Sequence, residues 1–277
     1  MPTVVAATDA GLRVGEETRF PGRDVRAVTL DERGDVWAIV DDDLWHEDRR
    51  IAGVGAGCRY LSVGDGVALV GTSDARVLRV VHGSVAAARG FEVLRDASDW
   101  HAVGSPVHVR SMAHGTDTVY LSVHVGGIVR TDPAGEEWTA TGFDVADDVH
   151  QVAVNGPAEL FAATALGLAH STDGGDSWAF EWEGLPTCYS RAVAVDRSTG
   201  AVAMSVSDGP WASKGTVWMR DPDAGFLSVG DQVEGNIDTG HLGFGGGAVA
   251  FAHEDHLWFE GTWSHLPGRV NAVLVRD

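Results

Sequence analysis

The chain has 277 residues, 36 of them glycine, and carries 40 acidic against 20 basic side chains, a formal charge of -20. That balance excludes a nonspecific nucleic-acid binder, which needs a basic stripe to neutralise phosphates. No run approaches the ~18 apolar residues of a membrane-spanning helix.

Lys214 is the single lysine beside 19 arginines. A dense acidic surface stays hydrated while concentrated salt screens its self-repulsion, so the composition points to a salt-adapted cytoplasm. Met1–Asp9 has neither the basic nor the apolar region of a secretion signal, and a cytoplasmic location is expected. Cys58 and Cys188 stand in apolar surroundings without ligand spacing and read as buried free thiols.

Helix is poorly supported, because no window of about 12 residues keeps a clean 3.6 period. A short apolar strand recurs instead, at Val4–Thr8, Val36–Val40, Val67–Gly71, Val119–Val123, Leu160–Thr164, Val202–Val206 and Val249–His253. Each is followed after a tight turn by a second strand, the first being Gly11–Val14 and the last His256–Phe259. Each is matched by a strand of a third kind: Val25–Leu30, Arg59–Val63, Val109–Ala113, Val149–Val154, Arg191–Val195, a weaker Ile237–Leu242, and Val270–Val275. This third kind is regular and small-sided, as the innermost strand of a propeller blade must be. It is designated A, with B and C outward of it. An outermost D strand is expected to open at Trp100, Trp138, Trp178 and Trp263.

Starts of strand A lie roughly 30 to 50 residues apart, the length of a four-stranded blade. The C-terminal Arg269–Val275 has no B or C after it, and the N-terminal strands have no A before them. Together they complete one blade and leave no open edge. The reading is a single all-β domain over residues 1–277, a seven-bladed β-propeller closed by its two terminal strands, with six or eight blades as alternatives.

Ser171-Thr-Asp173-Gly-Gly175-Asp-Ser177-Trp178 supports that reading. It resembles the Asp-box of sialidase-like (BNR-type) propellers, and at the level of blades the chain is also similar to YVTN/WD-type repeat proteins, as a haloarchaeal-type member. The resemblance implies a β-hairpin turn between the third and fourth strands of a blade, on the outer edge and away from the axis. It therefore implies a fold and not an activity. Thr131–Trp138 and Arg95–Trp100 look like eroded copies of the box.

Aligning the seven A strands gives one polar column: Arg26, Arg59, Arg110, His150, Arg191, Asp238 and Asn271. The start of strand A borders the central channel, so this column is expected to form a ring at one mouth. Guanidinium forks match planar oxyanions. The functional reading is a non-enzymatic binding or scaffold protein that takes an anionic small molecule or an acidic protein segment there, at Arg26, Arg59, Arg110, His150, Arg191 and Asn271. The competing structural reading has the arginines filling the tunnel, paired with Asp24, Asp147, Asp148 or Asp238.

Catalysis is the alternative from a different class. The resemblance to sialidases implies an arginine cluster and a tyrosine nucleophile activated by a carboxylate. Tyr189 is the better-placed tyrosine here, and His150 is a candidate for lyase chemistry, but no paired carboxylates can be assigned. No cofactor is implied. No metal site is assigned either: His253-Glu-Asp-His256, His108 with His114, and Asp41-Asp-Asp43 lack a closed ligand set. The tryptophans recur mostly at blade positions. Trp182 and Trp211 do not, and Trp211 lies on the longest B–C connection, Ser207–Gly215. The other long insertion, Gly83–Gly104, is expected at a blade edge.

Overall fold

The computed structural model describes residues 1–100, 106–144, 148–221 and 224–276. Seven four-stranded antiparallel sheets are arranged as the blades of a propeller. Their inner A strands are Val25–Leu30 (blade 1), Cys58–Gly64 (blade 2), Val109–His114 (blade 3), Val149–Asn155 (blade 4), Val193–Asp196 (blade 5), Leu242–Gly245 (blade 6) and Val270–Arg276 (blade 7). Blade 7 takes its B, C and D strands from the opposite end of the chain: Thr3–Thr8, Gly11–Val14 and Glu17–Arg19. Val5 pairs Leu274 and Thr3 pairs Arg276 in that closure. The edge that each terminal strand would otherwise expose is thereby consumed.

Alternating apolar residues on both faces of each sheet make the core a series of inter-blade layers. Ala27, Ile39 and Leu44 of blade 1 pack against Leu61, Ala68 and Val70 of blade 2. Val5, Ala7 and Leu12 of blade 7 meet Val25, Val28 and Val36 of blade 1. The closing blade is thus sealed on its blade 1 side by the same kind of contact that joins the other blades.

The Ser171–Trp178 turn lies where the motif implies, between the C strand Gly167–Ser171 and the D strand Ala179–Glu181. The Asp173 carboxylate accepts the Ser177 backbone N–H (2.9 Å), the Ser177 hydroxyl (2.6 Å) and the Ser171 hydroxyl (2.8 Å). These bonds, led by the one from the Ser177 hydroxyl, hold its pKa down at about 2. Trp178 Nε1 donates to the Gly175 carbonyl, and Trp138 Nε1 donates to Gly135 in the same way, both at 3.0 Å. Thr131–Trp138 is therefore a second working turn, with Asp132 accepting the Glu136 N–H.

Both turns dock on a Gly-Phe pair of the preceding blade. A Cβ on Gly142 would lie 2.0 Å from the Asp176 carbonyl oxygen, and one on Gly90 would lie 2.1 Å from that of Glu136. Only glycine allows this approach. Phe143 then meets Trp178 edge-on at 5.3 Å, and Phe91 meets Trp138 at 5.0 Å.

Four expectations are corrected. Arg95–Ala97, the start of the supposed third box, belongs to an α-helix, Arg89–Ala97, and blade 2 takes its D strand from Ser84–Ala87. Trp100 opens no strand; it packs on Phe91 at 5.9 Å, while Phe91 is fully buried beneath the helix. The inner strand of blade 6 begins at Leu242, so Asp238 precedes the ladder. Cys188 is exposed, in contrast to the buried Cys58. Residues 101–105 of the long insertion and Asp147 lie outside the described residues.

Candidate binding face at the channel mouth

The polar column owes its position to a backbone irregularity. In blade 1 Val25 faces Val40 and Ala27 faces Ile39, leaving Arg26 as the extra residue of a β-bulge. The same slip isolates Arg59 between Cys58 and Tyr60, Arg110 between Val109 and Ser111, His150 between Val149 and Gln151, and Asn271 between Val270 and Ala272. In blade 5 Tyr189 bridges Ser207 and Val193 pairs Met204, so three residues face two, and the amides of Arg191 and Ala192 share the Ser205 hydroxyl. A bulge breaks the alternation of the strand and re-aims one side chain. Six blades use it to place a polar residue next to the axis.

A second column sits two residues earlier. In six blades that carbonyl accepts the first N–H of the B–C turn: Asp24 from Asp41, Gly57 from Ser73, His108 from His124, Asp148 from Ala165, Tyr189 from Ser207, and Arg269 from Asp9. The inner-strand starts and the B–C turns therefore share one face of the propeller.

Blade 6 departs from this pattern. Its segment Asp238–His241 precedes the ladder and bonds to three other blades. The Thr239 hydroxyl donates to the Arg191 carbonyl (3.0 Å) of blade 5, Gly240 N–H donates to Gln151 Oε1 (3.0 Å) of blade 4, and Val273 N–H of blade 7 donates to the Gly240 carbonyl (2.7 Å). The segment, here termed the plug, thus ties blade 6 to blades 4, 5 and 7 beside polar residues of the column.

On one side, Arg110 lies 3.5 Å from Asp148 Oδ1 and donates to His124 Nδ1 at 3.3 Å. Because guanidinium only donates, His124 carries its proton on Nε2. Burial, together with Arg110 and His108, pushes the His124 pKa down to about 4. Burial also lowers the Arg110 pKa. His150 is 1% exposed; its Nδ1 donates to the Ser190 carbonyl at 2.5 Å, and its Nε2 meets the Tyr189 hydroxyl (3.2 Å) and Asp148 Oδ2 (3.3 Å). The bond to His150 and the nearby guanidinium hold the Asp148 carboxyl below its usual range. Arg191 stacks over the Tyr189 ring and donates to Asp238 of the plug and to the Pro210 carbonyl, while its buried Nε finds no acceptor among the described residues.

The remaining members stand apart. Arg26 pairs with Asp24 and Asp42, each at 2.9 Å, and Asn271 donates to Asp24 and to the Val25 carbonyl. Arg59 is exposed and forms no ion pair among the described residues. Three arginines are thus held by Asp24, Asp148 and Asp238, as the tunnel-filling reading expects. The Tyr189 hydroxyl bonds His150, and among the described residues it meets no carboxylate of the kind that would activate a glycosidase nucleophile.

Beside the plug lies a cleft of about 410 Å³ lined by Arg191, Trp211, Asp238, His253, Glu254 and Arg269, with others. The B–C loops of blades 5 and 6 supply its walls. Separately, ligand atoms of Asp31, Asp35 and His46 fall within 4.8 Å of one another, near the opposite end of blade 1. Asp31 already accepts the N–H groups of Arg33 and Asp35 and the indole of Trp37, which fits it to closing the A–B turn. Hairpin pairing of Trp37 with His46 is the signal that could have revealed this group in the sequence.

No family model matches the chain, and no curated protein matches it. Solved structures do, and they define its class. The WD40 β-propeller domain of Doa1 aligns with a TM-score of 0.61 at 13% identity, over 95% of this chain and 89% of that one. YCF48 from Cyanidioschyzon merolae gives 0.53 at 13% identity over 79% and 71%. The extracellular domain of the hybrid two-component system BT4673 from B. thetaiotaomicron gives 0.55 at 14% identity over 87% of this chain; the chain spans about a third, 33%, of that structure's length. These likenesses show the fold. The chain is a seven-bladed β-propeller, similar in fold to these proteins. No helix among the described residues is long and apolar enough to cross a membrane.

Proposed function

We propose that this protein is a non-catalytic binding propeller of a salt-rich cytoplasm. Its working surface is the face on which the inner strands begin, and it takes an anionic group of a small molecule or acidic protein segment at the corner formed by Arg110 and Arg191. One observation carries the reading: four arginines of a chain with charge -20 occupy equivalent bulge positions at a single face. Surface composition alone does not account for that. The partly exposed pair of Arg191 with Asp238 is worth roughly 0–1 kcal/mol, and Arg110 stands 3.5 Å from Asp148 without a hydrogen bond to it. A ligand making bidentate, charge-assisted bonds of about 1.5–3 kcal/mol each can displace these contacts. High salt weakens long-range attraction, which favours ligands that make such direct contacts.

A thermal-shift screen of phosphate, dicarboxylates, sugar acids and acidic peptides in molar salt tests this. One ligand class is expected to raise the melting temperature of the native protein and not that of the Arg110→Ala/Arg191→Ala double variant. Equal shifts in both proteins, or none in either, would discard the arginine corner.

A further inference from the structure

We propose that the cleft beside Trp211 is a site for a small zwitterion, represented by a free α-amino acid with an aromatic side chain. The inference rests on the binding-face reading above and narrows its anion to the carboxylate of a molecule that also carries an ammonium group.

The charges lining the cleft come in both signs. Arg191 is committed to Asp238 and to the Pro210 carbonyl. Arg269 and Glu254 are exposed and form no side-chain ion pair among the described residues. What remains uncompensated is therefore a guanidinium and a carboxylate on one concavity. A dianion placed there meets Glu254, and a dication meets Arg269. A zwitterion satisfies both, its carboxylate on Arg269 and its ammonium on Glu254.

Trp211 supplies the third element. Its side chain is 95% exposed, yet the loop beneath it is held: Arg191 donates to the Pro210 carbonyl at 2.8 Å, and Asn236 donates to the Gly209 and Pro210 carbonyls at 3.3 and 3.2 Å. A large aromatic ring held in water on an anchored loop is a platform for a flat or apolar group, or for an ammonium over its face. The volume, about 410 Å³, lies within the range of small-molecule sites.

The test is calorimetric titration in molar salt with L-phenylalanine, N-acetyl-L-phenylalanine (no ammonium) and phenethylamine (no carboxylate). The variants Glu254→Gln, Arg269→Gln and Trp211→Ala change only exposed side chains, and their melting temperatures check that they fold. L-Phenylalanine is expected to bind, with each single-charge analogue at least about tenfold weaker, the factor of one lost charged hydrogen bond. Glu254→Gln should erase the preference over the N-acetyl compound, Arg269→Gln the preference over phenethylamine, and Trp211→Ala should weaken all binding. Equal or tighter binding of N-acetyl-L-phenylalanine would overturn the zwitterion inference while leaving the anion-binding reading standing. Failure of all three probes, with phosphate or dicarboxylates still acting through Arg110 and Arg191, would overturn it as well.

Discussion

Asp238, carried by the plug of blade 6, holds the guanidinium of Arg191 in blade 5. The plug thus supplies from within the chain the kind of group that the arginine is proposed to bind from outside. Asp238→Asn should release that hold. Affinity for an anionic ligand is expected to rise about three- to tenfold, while stability falls by no more than about 1 kcal/mol, since the pair is partly exposed. Titration and chemical denaturation of the same variant measure the two effects. Unchanged affinity would mean that Arg191 serves the plug alone.

The turns Ser171–Trp178 and Thr131–Trp138 make a structural prediction that is independent of any ligand. Gly142→Ala drives a methyl group into the Asp176 carbonyl, which is backbone and cannot swing aside. A loss of about 1–3 kcal/mol is expected from such overpacking. Gly22→Ala is a useful comparison, because its Cβ meets nothing within 4 Å although its φ of +76° still strains an alanine. Denaturation midpoints should show the Gly142 variant to be the more damaged.

Removing a buried ring tests the inter-blade core. Phe251 is fully buried, stacked on Trp258 at 4.9 Å and edge-on to Trp263 at 5.5 Å. Phe251→Ala should cost about 3–5 kcal/mol. Denaturation monitored by tryptophan fluorescence reads both the loss and the altered surroundings of the two indoles.

The acid limb of stability should have two parts. The folded-state pKa of His124 is depressed to about 4, below its ordinary 6.5, so the unfolded chain takes up the proton first. Its contribution is complete above pH 6.5 and is lost as pH falls toward 4. Asp173, at about 2 when folded, also has a depressed pKa; its contribution is present above about pH 4 and disappears as pH falls through 2. His124→Gln should reduce the slope in the upper window, to which His108 and His114 also contribute, and Asp173→Asn the slope in the lower one, shared with Asp132 and Asp148. A slope unchanged by His124→Gln would contradict the burial of that ring beside Arg110, and one unchanged by Asp173→Asn the hydrogen bonds of the Ser171–Trp178 turn.

Strand order, blade number and terminal closure were legible because a two-residue apolar alternation repeats seven times and the chain ends carry complementary fragments of one blade. The polar column was legible too, as a misfit in that alternation. Its cause was not: a bulge is a slip in pairing between two strands, and neither strand records it alone. The helix Arg89–Ala97 escaped because it is shorter than any window that establishes a 3.6 period, and it is anchored through one buried side chain, Phe91. Asp238 was misplaced for a different reason. The residues that hold its segment outside the ladder, Gln151 and Val273, belong to other blades, so tertiary hydrogen bonds override the local strand pattern. The cleft at Trp211 likewise joins loops of two blades and has no linear signature.

The central claim is that Arg110 and Arg191 bind an anionic group directly. Its most direct measurement is calorimetric titration of the anion that gives the largest thermal shift, into the native protein and into Arg110→Ala and Arg191→Ala separately. Affinity is predicted to fall at least about tenfold in each variant, one charged hydrogen bond or more being lost. In the native protein it should change little between roughly 1 and 3 M salt, where the screening length is already about 3 Å or less. Native-like affinity in both variants would contradict the account and return the arginines to the role of filling the tunnel.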